Sequence, residues 1–441
     1  MKIEAEWLAR RLRGRDAKGI AVETARLVRS GELPVGSRLP ALRDLAFHTG
    51  ISPATISGAW TALRRQKVLT GRGRNGTWVT ETAIGNAPAR TGRMGAYGPG
   101  ALDLSLAVPD PALLPPLEAA LRHAATGPDL NSYRRSRIEP SLRDAVEPTW
   151  PYPPNALLAT NGGYNAVYAA VHALVTPGDA VACEEPTAIR LLDILEDAGA
   201  HILPVACDDR GPLPEALDGA LAQRPVLFLY QPRTHSVTGR HVDAARIAEL
   251  GDSLKDQATL VLEDDGLGDV SAHPSQSLGA RFPERVIHIR SLSKSYGPDL
   301  RLAVMSAPED VVERVQSYRL FSAGWTSRLL QNAAAWLLSD PETAARLDEA
   351  RSIYAARRSA LLDALETRGM AAFRGDGLCL WLPVPSEPFA LVTLAAHGIV
   401  VLPGEKCFLH GAGHIRVGTS MLADGYERVA DALLLASRPH G

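Results

Sequence analysis

Cysteine is scarce in this sequence, with four residues among 441. They stand far apart, no two form a Cys-x-x-Cys pair, and no cluster of histidines accompanies them. This usage excludes the disulfide framework of a small secreted domain and the common cysteine-based zinc sites, and it fits a reducing cytoplasm. We therefore expect no metal ion. The four residues are Cys183, Cys207, Cys379 and Cys407.

Long apolar runs are also lacking. No stretch approaches the ~20 residues that a membrane-spanning helix needs, and the N-terminal segment MKIEAEWLARRLRGRD has no signal-like apolar core. We expect a cytoplasmic protein without a membrane partner. A chain of 441 residues that is 46% hydrophobic and 22% charged predicts two or three globular domains.

Positive charge is concentrated at one end of the chain. Residues 1–80 contain 15 Lys and Arg against 6 Asp and Glu, whereas the whole chain has 47 against 49. The remainder is therefore acidic. A basic segment joined to an acidic body indicates an anionic partner for that segment, and a solvated arginine-rich surface is the alternative.

The basic segment has the pattern of a small helical domain. Residues 17–30 and 41–50 have helical features, and each segment is closed by a glycine. Ser52 is a natural N-cap for a third helix, with Pro53 at the first helical position. The last two helices, joined by TGIS, predict a helix-turn-helix, and KVLTGRGRNGTWVT predicts a two-stranded wing. This order of elements favours binding to double-stranded DNA.

The motifs LPALRDLA, GISPATI and GRGRNGTWV resemble those of the GntR family of winged-helix regulators. The resemblance covers about residues 10–80 and implies a set of residues that face DNA. They are Arg43, Ser52, Thr55, Ser57, Arg72, Arg74 and Gly76. Where the family often has an arginine after the cap serine, this sequence has Pro53. Residues 1–80 are thus assigned to a DNA-binding domain, and residues 81–101, rich in Gly, Ala and Pro, to a linker.

From residue 102 onward, short apolar runs alternate with helical stretches. Strands are predicted for ALLAT, AVACEE, AHILPV, PVLFLY, TLVLEDD, RVIHIRS and LAVMSA, and helices for YNAVYAAVHALV, AIRLLDILEDAG and DAARIAELGDSLKDQ. The alternation predicts an α/β fold with a largely parallel sheet covered on both faces. We assign residues 102–341 to this large domain and residues 342–441 to a smaller α+β domain.

Three segments at predicted strand ends carry chemistry. ATNGGYNAV is a strand, a Gly-Gly turn and a helix start, which suits a phosphate. LEDDG puts acids after a strand, and IRSLSKSYGPDLRLAV puts Lys294 after another, with Arg301 following. Pyridoxal 5′-phosphate needs a lysine amine, a phosphate site and an acid for its protonated ring nitrogen. Each feature alone is common, and it is their order that favours this cofactor.

The body, from residue 102 to about 437, resembles the fold-type I aminotransferase family. The segment SLSKSYGPDLRLA matches that family's S-x-S-K-x-x-x-x-G-L-R signature. The resemblance implies that Lys294 bonds to the cofactor aldehyde and that Asp264 pairs with its ring nitrogen, with Asp265 as the alternative. The residues implied to hold the phosphate are Ser291, Ser293, Arg301, Gly163, Tyr164 and, from a partner subunit, Tyr133. Arg416, in GHIRVGTS, matches the arginine that grips the carboxylate of an amino acid.

Three ring contacts of that family are altered. Ser236 replaces an asparagine that contacts the ring hydroxyl, and Ala188 replaces an aromatic that stacks on the ring. A tyrosine expected shortly after the ring-nitrogen acid is absent, since Gly266 and Leu267 stand there. Phosphate and lysine contacts remain. These changes argue against efficient transamination, which needs a firmly oriented ring.

A GntR-type head joined to an aminotransferase-like body resembles the MocR subfamily of bacterial regulators. The resemblance implies a homodimer whose body senses pyridoxal phosphate, an amine or an amino acid and thereby changes promoter binding. One alternative is a pyridoxal-phosphate-dependent aminotransferase with a vestigial head, favoured by Lys294, Asp264, Arg301 and Arg416. Another is a cofactor-free body used only for dimerisation, favoured by Ala188 and Ser236.

Overall fold

The chain forms two compact units, which divide between residues 89 and 90. The computed structural model describes residues 2–65, 68–71, 76–80, 90–91 and 100–438. We call the first unit the head and the second the body. None of the helices in these ranges combines the length and apolarity that crossing a membrane requires.

The head is a helical domain with a short antiparallel wing. Its elements are α1 (Ala5–Ala9), α2 (Ala17–Arg29), α3 (Leu42–Thr49), α4 (Pro53–Arg65), β1 (Leu69–Thr70) and β2 (Trp78–Val79). Gly50 ends α3 in the left-handed conformation at φ +66°. The Ser52 hydroxyl accepts a hydrogen bond from the Thr55 amide at 3.1 Å and so caps the start of α4. The predicted winged helix-turn-helix is confirmed.

One apolar core holds the head together. The inward stripes of α2, α3 and α4 meet there, as the helical spacing predicts. The members that are at most 1% exposed include Ile20, Leu27, Leu45, Ile56, Trp60 and Leu63. The opposite faces of these helices are therefore left free for polar contacts.

The body contains one large sheet, two small ones and the helices that cover them. Its helices are α5 (Glu118–Ala124), α6 (Pro140–Val146), α7 (Gly163–Leu174), α8 (Ile189–Asp197), α9 (Pro214–Leu221), α10 (Ala244–Leu254), α11 (Ser293–Tyr296), α12 (Glu309–Arg319), α13 (Arg328–Ser339), α14 (Pro341–Glu366), α15 (Glu387–Ala396) and α16 (Tyr426–Ala436). Its strands are β3 (Leu102–Asp103), β4 (Ala156–Thr160), β5 (Ala180–Glu185), β6 (His201–Asp208), β7 (Gly211–Pro212), β8 (Leu227–Tyr230), β9 (Leu260–Asp265), β10 (Val286–Ser291), β11 (Ala303–Ala307), β12 (Cys379–Pro383), β13 (Ile399–Val400), β14 (Leu402–Pro403) and β15 (His414–Gly418).

The large sheet has eight strands in the order β4-β11-β10-β9-β8-β5-β6-β7. Its central pairs β10–β9, β9–β8, β8–β5 and β5–β6 are parallel, and β11 runs antiparallel to both of its neighbours. Apolar clusters lie on both faces of the sheet. The predicted α/β fold is confirmed. It could be predicted because strands that are buried on both faces appear in the sequence as continuous apolar runs.

The C-terminal part builds a smaller antiparallel sheet in the order β12-β15-β14. Strand β3 pairs in parallel with β13, and Leu104 lies in the same apolar cluster as the helices of this part. The chain therefore enters the body beside the small sheet before it crosses to the large one. Arg416, in β15, lies opposite Trp381 of β12 and Leu402 of β14.

We expect Leu63→Ala to destabilise the head alone. The side chain is fully buried in the head core, and the cavity left behind costs about 2–5 kcal/mol. Hydrogen exchange measured by mass spectrometry should show lost amide protection in residues 2–65 and unchanged protection in residues 100–438. Thr61→Ala, at an exposed position of the same helix, is the control. Equal losses in both units contradict the prediction.

Candidate ligand site and nucleic-acid interface

A lysine and a carboxylate meet at one edge of the large sheet. Asp264 is the last residue but one of β9, and Lys294 follows β10. These strands are parallel, with Asp264 opposite Ile289. Burial raises the pKa of Asp264 to about 6, although a hydrogen bond from Gln231 and the charge of Lys294 both act to lower it. Burial also lowers the pKa of Lys294, and the charge of Asp264 opposes this. The pair is thus a half-buried lysine, whose amine is desolvated, beside a buried acid.

Two adjacent acids have different surroundings here. Asp265 is engaged elsewhere: it accepts from the Gly268 amide at 3.1 Å and lies 3.4 Å from the Arg233 guanidinium. Asp264 lies on the other side of the strand, where a Cβ placed on Gly163 would come within 3.9 Å of its Oδ1. The geometry therefore favours Asp264 over Asp265 as the acid of this site.

A tight turn before α7 forms a cradle for an anion. Gly162 has φ +99°, and a Cβ added there would lie 3.8 Å from the Arg301 guanidinium. A Cβ added at Gly163 would lie 3.2 Å from that of Ser291. Within the described part of the chain, the Arg301 side chain makes no hydrogen bond or ion pair. The amides at the start of the 12-residue α7, a hydroxyl and an unpaired guanidinium together suit a phosphate.

A buried glutamine joins Asp264 to Ser236. Gln231 follows β8, is 2% exposed, and donates from Nε2 to Asp264 Oδ2 at 2.9 Å. Its Oε1 accepts from the Ser236 amide at 3.1 Å and from the Ser236 hydroxyl at 3.0 Å. Gln231 stands outside the three segments that predict the cofactor site from sequence. It could have been predicted as a site residue because it directly follows a buried strand, next to the strand that carries LEDDG.

Arg416 lies near the same lysine. One guanidinium nitrogen donates to the Ser105 carbonyl at 2.8 Å, while the buried Nε has no hydrogen-bond partner among the described residues. Burial raises the pKa of the Tyr164 phenol, and the charges of Arg190 and Arg416 oppose that rise. The charge of Arg416 also contributes to the low pKa of Lys294. Arg416 therefore lies near Lys294 with a buried Nε that has no hydrogen-bond partner among the described residues.

Two further predicted contacts differ in their placement. Ser293 lies in α11, and its amide donates to the Ser291 hydroxyl at 3.5 Å, so it belongs to the same turn. Tyr133 stands apart: it is 87% exposed, and its ring contact is an edge-to-face one with Trp325 at 6.1 Å. A role for Tyr133 at the phosphate of a partner subunit stays a prediction.

The predicted DNA-facing residues cluster around α3 and α4. Arg43 and Ser52 are exposed, and Thr55 and Ser57 are partly exposed on α4. In the wing, Gly76 has φ +91°, and a Cβ added there would lie 2.9 Å from Arg38 Nε. Only glycine fits that position without strain. The predicted contacts Arg72 and Arg74 lie outside the described residues.

Potential metal ligands are not grouped in the described ranges. No set of three or more His, Cys, Asp or Glu side chains there is arranged to hold a metal ion.

Two protein families match this chain. Residues 103–433 match the family described as aminotransferase class I and II, and residues 17–79 match the bacterial regulatory proteins of the gntR family. The vitamin B6 salvage pathway transcriptional repressor PtsJ of Salmonella typhimurium is 31% identical over 423 residues, which cover 93% of this chain and 96% of that protein. The chain belongs to the MocR subfamily of GntR-family transcriptional regulators.

Other relatives agree with this assignment. The HTH-type transcriptional regulator TauR of Rhodobacter capsulatus is 28% identical over 92% of this chain and 93% of its own. Among solved structures, LysN, an alpha-aminoadipate aminotransferase from Thermus thermophilus, has a TM-score of 0.69 at 24% identity and covers 79% of this chain and 97% of its own. At that identity the likeness establishes the fold of the body. This MocR protein is thus a DNA-binding transcriptional regulator built on an aminotransferase fold.

The aminotransferase fold implies dependence on pyridoxal phosphate, and the residues of this MocR body fit that group. A buried amine, a buried acid and a turn with an unpaired arginine lie together at the sheet edge. When bound, the cofactor supplies an aldehyde that reacts with amines and a ring that withdraws electrons. Lys294 would hold its aldehyde, Asp264 its ring nitrogen and Arg301 its phosphate.

The pH dependence of stability should report the buried acid. The pKa of Asp264 rises from its usual 3.8 to about 6 on folding, so its ionisation destabilises the cofactor-free protein by roughly 3 kcal/mol above pH 6. Asp264→Asn should therefore raise the unfolding free energy at pH 8, with the gain disappearing as the pH falls from 6 to 4. Chemical denaturation at several pH values measures this. A gain that is constant with pH contradicts the assignment.

Proposed function

We propose that this MocR regulator binds pyridoxal phosphate at the Lys294 site and that this binding, alone or together with an amine or amino-acid effector, changes its affinity for promoter DNA. The buried pair of Lys294 and Asp264 beside the unpaired Arg301 carries the proposal. The similarity to PtsJ, named for vitamin B6 salvage, over 93% of this chain supports a ligand of the same chemical class.

Each residue of the site has a proposed role. Lys294 is the point of covalent attachment, Asp264 pairs with the protonated ring nitrogen, and Ser236 lies at the ring hydroxyl. Arg416 receives the carboxylate of the effector, since its buried Nε lacks a partner among the described residues. The phosphate is held by Ser291, Ser293, Arg301 and the amides of Gly163 and Tyr164.

An anchor at the start of the body supports communication with the linker. The Asp193 carboxylate accepts from the amides of Arg90 and Thr91 at 3.0 and 3.1 Å and from the Thr91 hydroxyl at 2.8 Å. The Arg90 guanidinium donates to the carbonyls of Lys406 and Phe408 at 3.1 and 2.7 Å. Arg90 and Thr91, where the body begins, are thus held against α8 and the turn that contains Cys407.

The same turn is within electrostatic reach of the site. Burial raises the pKa of the Cys407 thiol to about 12, and the charges of Arg416 and Arg90 oppose that rise. A ligand that draws Arg416 to its carboxylate therefore acts next to the segment that holds Arg90. A ligand shifts an equilibrium only through its different affinity for two arrangements, and this turn is where such a difference would reach the linker.

A second copy of the chain is the proposed partner of the body. Phe321 is 92% exposed, Leu320 is 50% exposed and Tyr133 is 87% exposed, and exposed apolar side chains of this size favour an interface. Tyr133 would then stand at the phosphate of the neighbouring site. For a regulator that binds promoter DNA, we propose the cytoplasm as its location.

An aminotransferase with a vestigial head is the second candidate, because the site retains Lys294, Asp264 and Arg416. The two candidates differ in turnover. Steady conversion of an amino acid with 2-oxoglutarate favours the enzyme, whereas uptake of the cofactor without turnover across a broad panel of amino acids favours the regulator.

Lys294→Ala should leave DNA binding intact and abolish the response to pyridoxal phosphate. The reason is that the covalent contact, and with it most of the ligand's affinity, is lost. Electrophoretic mobility shift with the DNA upstream of the gene, with and without the cofactor, measures both properties. Lys255→Ala, an exposed lysine of the same body, is the matched control. No specific shift by the wild type under either condition counts against a regulator.

Asp193→Asn should uncouple the two units without emptying the site. It weakens three hydrogen bonds of the anchor, so the cofactor-induced change in DNA affinity should fall several-fold, while cofactor absorbance stays unchanged. Asp179→Asn is matched, since Asp179 makes the same kind of contacts to the Thr176 amide and hydroxyl. Transmission through the Asp193 anchor is contradicted if both variants respond to the cofactor as the wild type does.

A further inference from the structure

We infer that Gln231 is a positioning residue with two effects. It keeps Asp264 as a hydrogen-bond acceptor, and it accepts the hydroxyl proton of Ser236 so that this proton is not donated to the ligand. The inference rests on the proposed cofactor site and adds a residue to it. The Gln231 side chain bonds Asp264 and Ser236 and makes no hydrogen bond to Lys294 among the described residues, so it acts through its two neighbours.

The orientation of the Gln231 amide follows from the chemistry of its partners. The Ser236 backbone N–H can only donate, so the group facing it at 3.1 Å must be the amide oxygen. The amide nitrogen then faces Asp264 Oδ2 at 2.9 Å and donates to it. Each end fixes the other, and no alternative assignment satisfies both contacts.

The backbone of Gln231 is itself held in place. Its amide donates to Glu184 Oε1 at 2.8 Å, and that carboxylate lies 3.3 Å from His235 Nε2. Strand β8 pairs in parallel with β9 with Tyr230 opposite Glu263, so the next residue of each segment, Gln231 just after β8 and Asp264 within β9, come side by side. The side chain is therefore aimed by the sheet register and not by a mobile loop.

The first consequence concerns the charge of Asp264. Desolvation and the charges of Asp265 and Glu184 favour its neutral form. The Gln231 N–H and the charge of Lys294 favour its ionised form. The Tyr164 phenol also lies in electrostatic reach. Of these groups, Gln231 alone donates a hydrogen bond to Asp264 within the described residues. Loss of that bond moves the carboxyl toward its neutral form, which pairs poorly with a protonated ring nitrogen.

The second consequence concerns Ser236. Its hydroxyl proton points to Gln231 Oε1 at 3.0 Å, so only the oxygen lone pairs remain for a ligand. An acceptor at this position pairs with a ring hydroxyl that keeps its proton. An asparagine there could instead donate its side-chain N–H to the ring oxygen. Gln231 therefore sets which protonation state of the ring hydroxyl the site prefers.

Gln231→Met removes the amide with little change in volume and tests the first consequence without any cofactor. The destabilisation it causes should grow as the pH rises from 5 to 8, because the pKa of Asp264 rises further and its ionisation becomes more unfavourable. In an Asp264→Asn background that growth should vanish. Gln331→Met is the control: Gln331 is fully buried and bonds the Glu139 amide and the Thr326 carbonyl, neither of which titrates. Its loss should be independent of pH.

Titration with pyridoxal phosphate tests both consequences by absorbance. Gln231→Met should raise the dissociation constant about tenfold. It should also shift the absorbance of the bound cofactor from the form with a protonated ring hydroxyl toward the form with an ionised one. Gln331→Met should change neither. In Ser236→Ala protein, the Gln231 substitution should no longer move the ratio of the two forms.

The outcomes separate this inference from the proposed function. If the wild type takes up no pyridoxal phosphate, the proposed function fails together with the Ser236 role, and the pH series still decides the Asp264 role. If the wild type binds and Gln231→Met matches Gln331→Met in affinity, spectrum and pH dependence, Gln231 is only a packing residue and the inference is overturned.

Discussion

The ligand site of the body depends on holding a lysine amine and a carboxylate out of water at one sheet edge. Desolvation works against both charges, as the raised pKa of Asp264 and the lowered pKa of Lys294 record. Their mutual attraction and the bond from Gln231 offset only part of that effect. Such a pair destabilises the protein by itself, so its presence makes sense where a bound group completes it.

The parallel register of three central strands brings these groups together. Tyr230 lies opposite Glu263, and Asp264 lies opposite Ile289, so β8, β9 and β10 end at the same edge. Polar residues at and just after the ends of these strands therefore collect there. The anion cradle before α7 lies beside them because Gly163 packs on Ser291 at the end of β10.

Much of this could be predicted from sequence, and the limits have physical causes. Strands such as β4 and β9 were found within a residue because buried parallel strands are continuous apolar runs. The pairing of β3 with β13 was missed, since two-residue strands carry no periodicity. Gln231 was missed because its partner Asp264 is 33 residues away and becomes a neighbour only through the sheet register. The choice between Asp264 and Asp265 likewise needed the side-chain directions along β9.

The altered ring contacts are compatible with regulation for a thermodynamic reason. Catalysis requires the ring to be held within a narrow range of orientations, and a small side chain such as Ala188 relaxes that control. A switch requires only that the ligand bind two arrangements of the protein with different affinity, and phosphate, amine and carboxylate contacts are enough to supply the binding free energy. A response at the DNA would therefore need the contacts of Lys294, Arg301 and Arg416 and would place little constraint on the face of the ring. A winged helix and an aminotransferase site that lacks several ring contacts are therefore compatible in one chain.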